Sequence, residues 1–100
     1  MSNAVMFISY KLVKGASIPD FLIASEKVHN EFMSKQKGYI SWKVLVDGDI
    51  WADVLTWETM DDAQNAMGAG GTNTANQEFF ALLGQESVKV QIFAVEKSYS

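Results

Sequence analysis

Two runs of eight residues, Tyr39–Val46 and Ile50–Trp57, flank Asp47-Gly48-Asp49. Both runs are rich in β-branched and aromatic residues, and a short Gly-containing break between such runs marks a β-hairpin. A chain organised round that hairpin needs further strands beside it and helices to cover one of its faces.

The flanking sequence supplies both. Val5–Val13 reads as a strand. Ser17 then caps a helix with Pro19 in its first turn and Asp20 three residues past the cap. Ile18, Phe21, Leu22, Val28, Phe32 and Met33 recur at helical spacing, Lys35 and Lys37 suit the last turn, and Gly38 supplies the stop. Beyond the hairpin, Thr59 and Asp62 open a second helix through Met60, Ala63, Ala66 and Met67, which Gly68-Ala69-Gly70-Gly71 is expected to break. Thr74 and Gln77 open a short helix carrying Phe79, Phe80, Leu82 and Leu83, and Ser87–Lys97 reads as the last strand. The order βαββαβ is the α+β, ferredoxin-like plan: a four-stranded antiparallel sheet with helices on one face. Residues 5–98 form the expected single domain. Residues 1–4, where Ser2-Asn3-Ala4 resembles a vector-derived scar, are read as a disordered or tag-like N-terminus.

Composition narrows the function. Eight Lys plus Arg against twelve Asp plus Glu, a net charge of −4, argue against nucleic acid as a partner. The absence of cysteine removes disulfides, thiolate metal sites and cysteine nucleophiles, and His29 is the only imidazole. No apolar run approaches the roughly 18 residues of a membrane span, and no signal segment is visible, so the expectation is a cytoplasmic domain.

If the hairpin pairs Val46 with Ile50, Trp42 and Val44 face the helices. The other face then carries Tyr39, Trp51, Trp57, Leu55, Phe7 and Phe93 among Lys11, Lys43, Asp53, Lys89 and Gln91. Such a face is too aromatic to leave to water, and a second copy packed sheet to sheet would cover it.

This arrangement resembles the dimeric α/β-barrel superfamily, in its antibiotic-biosynthesis-monooxygenase-like branch. The residues that carry the resemblance are Gly38-Tyr39-Ile40 entering the second strand, Trp51 to Trp57 as the third, and Trp57-Glu58-Thr59-Met60-Asp61-Asp62-Ala63 leading into the second helix. The Phe79-Phe80 to Ser87-Val88 passage adds to it. The resemblance implies a homodimer joined through the open sheet face, with a small aromatic or phenolic molecule bound in the barrel, and oxygenase chemistry that uses no cofactor and no metal. Fold alone does not select among the superfamily's activities. Its haem-degrading members have an Asn on the first strand and a Trp and His in the second helical region. Val5–Val13 and residues 59–83 lack these.

From the face assignment, Asp53 is the expected base and Lys43 the counter-charge for a phenolate or enolate. A cross-strand ion pair that only sets register is the plainer reading of the same two charges. Tyr39, Trp51 and Trp57, with Lys11, Phe93 and Gln91, are the expected ligand walls, and equally suit the filling of an interface. His29 is read as a hydrogen-bonded rim residue, Trp42 as core, and Gly68–Gly71 as a helix break in preference to a lid. A non-catalytic ligand binder and a filled structural dimer stand beside the enzyme.

Overall fold

The computed structural model describes residues 2–100, so the part of the N-terminal expectation that concerns Met1 lies outside it. Strands β1 (Ala4–Tyr10), β2 (Tyr39–Asp47), β3 (Ile50–Trp57) and β4 (Lys89–Ala94) form one sheet in the order β2-β3-β1-β4. All three strand pairs are antiparallel. Helices α1 (Ile18–Glu31), α2 (Met60–Gly70) and α3 (Thr74–Phe80) complete the α+β, ferredoxin-like fold. Ala4, placed outside the domain by the sequence reading, is fully buried and opens β1 opposite Trp57 and Ala94.

The helix starts follow from their caps. Ser17 Oγ accepts from the Asp20 amide at 3.1 Å, Thr59 Oγ1 from the Asp62 amide at 3.1 Å, and Asn73 Oδ1 from the Asn76 amide at 3.0 Å. The third cap is Asn73 where Thr74 was expected. The first helix also stops earlier than expected, at Glu31, and a 3₁₀ turn over Met33–Lys35 carries the chain to Gly38. Gly38 has φ +80°, and a Cβ there would collide with the buried Asp62 side chain.

The hairpin register corrects the face assignment. Asp47 pairs with Ile50 across a two-residue turn, with Gly48 at φ +63° in its first central position. The expected Val46–Ile50 pairing assumed a three-residue turn, and one residue of slip turns β3 over relative to β2. Trp42 therefore lies opposite Leu55 and Val44 opposite Asp53, while Lys43 lies opposite Val54. A bulge at Ile40 restores the pairing of Tyr39 with Trp57.

Trp51, Asp53, Leu55 and Trp57 thus lie beneath the helices and are buried. In one core cluster Tyr10, Phe21, Trp51 and Phe79 pack with Val28, Ala75 and Leu83. In the other, Ala4, Met6, Leu55 and Trp57 pack against Ala63 and Ala66 of α2. The opposite, open sheet face keeps Phe7 and Phe93 but loses Tyr39, Trp51, Trp57 and Leu55. Its centre is Val5, Phe7, Ala52, Val54 and Thr56 on β1 and β3, with Lys43 and Lys89 on the outer strands. It is an apolar centre with a charged rim, less aromatic than the sequence reading required.

Candidate functional site

The same register that fills one part of the helix–sheet interface leaves another part open. A cavity of about 550 Å³ lies over β1 and β4. Met6 and Ile8 of β1, with Val90 and Ile92 of β4, line it from the sheet. Phe32 and Met33 close one side, Ala66, Met67, Gly70 and Gly71 another, and Asn76 and Phe80 of α3 a third. Small residues on α2 explain why the space stays open. Ala63 and Ala66 bring the helix onto the sheet, but Gly70 and Gly71 have no side chain to project beneath it.

Two polar side chains interrupt this apolar lining, Asn76 and Gln91, and of the two only Asn76 is buried. Asn76 is 4% exposed, and its Nδ2 has no hydrogen-bond partner. A buried amide left unpaired costs about 1–3 kcal/mol, so a partner is chemically called for. Two indole N–H groups, those of Trp42 and Trp57, are also buried and unpaired, but neither residue lines the cavity. Among the described residues no ionisable side chain belongs to the lining.

Asn76 was not singled out from the sequence. The signal was present: an Asn three and four residues before Phe79 and Phe80, on the inward stripe of a short helix. A polar residue at an apolar position is the informative exception in such a stripe. Reading Thr74 as the cap hid it, because the true cap, Asn73, starts the helix one residue earlier.

The residues expected to form the site are distributed differently. Asp53 is 2% exposed and accepts a 2.8 Å hydrogen bond from the Tyr10 hydroxyl. Burial pushes its carboxyl up to about 6, while the hydrogen bond from the Tyr10 hydroxyl and the nearness of the Trp42 N–H pull the other way. That N–H makes no well-formed hydrogen bond. The Tyr10 hydroxyl is itself raised well above its ordinary range, first by burial and then by the adjacent carboxyl. Lys43 is on the far face of the sheet, so the expected Lys43–Asp53 pair does not form.

Trp51 and Trp57 are core residues: Trp51 meets the Phe21 ring at 4.9 Å, and Trp57 meets Tyr39 at 5.7 Å. Burial raises the Tyr39 hydroxyl, and its ring also contacts His29 at 5.8 Å. His29 Nδ1 lies 3.1 Å from Asn30 Oδ1, as a rim residue would. Phe93 and Lys43 share the open face, and Lys11 pairs with Asp49 at 3.6 Å beside a smaller surface hollow. Gln91 alone of the expected set borders the cavity.

No protein-family model matches the sequence, and no curated protein is similar to it. Solved structures do match. The chain is similar to the cofactor-independent oxygenase SnoaB from Streptomyces nogalater, with a TM-score of 0.78 at 12% identity over 98% of this chain and 97% of that one. A putative antibiotic biosynthesis monooxygenase from Bordetella bronchiseptica superposes with a TM-score of 0.78 at 14% identity, covering 99% and 100% of the two chains. One from Nitrosomonas europaea gives 0.73 at 14% identity over 94% and 90%. Among the described residues no helix is long and apolar enough to cross a membrane. The chain thus shares its fold with the oxygenase SnoaB and with solved antibiotic biosynthesis monooxygenases.

Proposed function

We propose that the chain binds a small, uncharged, largely aromatic molecule in the cavity over β1 and β4 and promotes its oxygenation without a cofactor. The Asn76 amide, the one buried polar side chain in a lining that is apolar but for exposed Gln91, carries this reading. Its N–H would donate to a carbonyl oxygen of the ligand and would bind more tightly as that oxygen gains charge in an enolate or phenolate. It thereby takes the stabilising part first assigned to Lys43. An activated methylene conjugated with a carbonyl, as in anthrone, can release its proton to water at the cavity mouth and reduce dioxygen itself. One oxygen atom then becomes the new carbonyl and the other leaves as water with the two former C–H hydrogens. No external reductant is required. Asp53 is set apart from this chemistry: its register partner Ile8 lines the cavity, and Asp53 does not.

The absence of an ionisable lining residue favours a second reading, a carrier or sensor that binds the same class of molecule and leaves it unchanged. Titration with anthrone, followed by tryptophan quenching and oxygen uptake, separates the two. Saturable binding with oxygen consumption, both lost in Asn76→Ala and in the cavity-blocking Met67→Trp, is the expected result. Binding without oxygen uptake leaves the carrier. Quenching indifferent to both substitutions would remove the cavity from the account.

As to assembly, the chain is proposed to pair through its open sheet face, whose apolar centre and lysine rim have the anatomy of an interface. Sedimentation should find a dimer, and Val54→Glu a monomer. A monomeric wild type at micromolar concentration would refute the pairing.

A further inference from the structure

Ala66 is the last buried residue of α2, and the chain does not bury another until Ala75 in α3. Between them lies the Gly68–Gly71 run, which the sequence reading took as a break; the structure winds its first three residues into the last turn of α2 and leaves Gly71 as the cap. None of the three glycines has a positive φ, and Gly71 is right-handed helical at φ −65° and ψ −20°. A Cβ added to Gly68 or Gly71 would meet nothing within 4 Å, and one on Gly70 would make only an ordinary contact with Asn76 Nδ2 at 3.5 Å. Neither backbone conformation nor close packing therefore calls for glycine here, and alanine would hold the turn more firmly. Their consequence is a turn that opens easily, since glycine is the poorest helix former after proline.

The surrounding contacts agree with this. Besides the backbone bonds of the helix itself, the turn is held by the Asn73 amide on Gly70 O at 3.2 Å and by two exposed side chains, Thr72 Oγ1 on Ala69 O at 3.4 Å and Gln77 Nε2 on Gly71 O at 3.0 Å. Both ends are fixed, Ala66 against the sheet and Ala75–Asn76 beneath the Asn73 cap. Met67, Gly70 and Gly71 form one wall of the cavity, and half-exposed Met67, Phe80 and Val90 mark where it reaches the surface.

We propose that the last turn of α2, Met67 to Gly71, is a flap at the cavity mouth, whose opening admits and releases the ligand that Asn76 holds. The proposal rests on the cavity reading above and adds to it how the site is entered. A flap of this kind sets rates more than affinity, because the same opening lies on the path in both directions.

The test is Gly68→Ala, whose added methyl has no neighbour within 4 Å and lies outside the cavity lining. The exchange is expected to lower the open population by up to roughly five-fold. Stopped-flow quenching with anthrone should show association and dissociation both slowed by up to roughly five-fold, with the equilibrium constant nearly unchanged. In the unliganded proteins, hydrogen exchange at residues 68–73 should be faster than at 62–66 in the wild type and slower in the variant than in the wild type. Anthrone that binds with the same rates in both proteins overturns the flap and leaves the cavity standing. Residues 68–73 protected as well as 62–66 in the wild type overturn it without any ligand. A wild type that binds no anthrone removes the cavity reading and, with it, the flap's role at the mouth.

Discussion

The helical layer covers the sheet in two contrasting ways. Over β1 and β3, near Tyr10 and Trp51, four aromatic rings interlock: Phe21 lies 5.9 Å from Tyr10, 4.9 Å from Trp51 and 5.4 Å from Phe79. Over β1 and β4, methionines, alanine and glycines face a chamber of about 550 Å³. Each region buries polar side chains, and the difference between two of them is instructive. Asp53 in the filled region has its partner, the Tyr10 hydroxyl, whereas the amide nitrogen of Asn76 in the hollow region has none. A satisfied polar group among rings fixes a core; one without a protein partner beside a cavity can take its partner from a bound molecule.

Two adjacent phenylalanines give the largest expected contrast. Phe79 is buried and its ring meets those of Tyr10, Phe21, Trp42 and Phe80, whereas Phe80 is 39% exposed at the cavity mouth. Phe79→Ala should cost about 3–5 kcal/mol in urea unfolding, the range for a large core ring, and Phe80→Ala about 1 kcal/mol or less. Equal losses would mean that the two regions are packed alike and the contrast is false.

The next effect is on pH dependence, and it belongs to the filled region alone. Asp53 titrates at its ordinary value of 3.8 when unfolded and at about 6 in the fold. Between those values the folded protein holds a proton that the unfolded chain has released. The contribution of Asp53 to stability is therefore complete below about pH 4 and is lost as the pH rises through about 6. The loss is about 2–3 kcal/mol by linkage. Subtracting the stability profile of Asp53→Asn from that of the wild type isolates this term from the other carboxylates. The difference should fall across that window and stay flat above it. Tyr10→Phe should move the midpoint upward, because the Tyr10 hydroxyl favours the ionised carboxyl. A difference profile without slope would show that Asp53 is not desolvated.

Much of this contrast was hidden in the sequence for a specific reason. The order of elements, the Ser17 and Thr59 caps and the hairpin were legible, because each depends on residues a few positions apart. The faces of β1 and β4 were legible too, through period-two alternation. The face of β3 was not, because it hinged on whether the turn held two residues or three, and Asp47-Gly48-Asp49 permits either. That one residue moved Trp51, Asp53 and Trp57 from the open face to the core and separated Asp53 from Lys43. The cavity was less legible still. An empty volume is a property of how α2 and α3 approach the sheet, and the glycines that create it read locally as a helix stop. Asn76 needed the right cap before its inward position could be seen.

Asn76 gives the smallest effect on stability and the clearest separation of the two regions. Asn76→Leu keeps a similar volume and removes a buried amide whose nitrogen has no partner within the protein. It should leave stability unchanged or raise it by about 1 kcal/mol, since the cost of burying that amide disappears. In the same variant anthrone binding should be strongly weakened, because the buried donor for the ligand's oxygen is gone and only exposed Gln91 remains polar in the lining. Tyr10→Phe should do the reverse, lowering stability while leaving the chamber and its affinity intact. If Asn76→Leu unfolds the protein as readily as Tyr10→Phe does, the amide is making a structural bond, and the hollow region needs no ligand to explain it. A gain in stability together with a loss of binding is the mark of a residue whose unmet hydrogen bond is reserved for a guest.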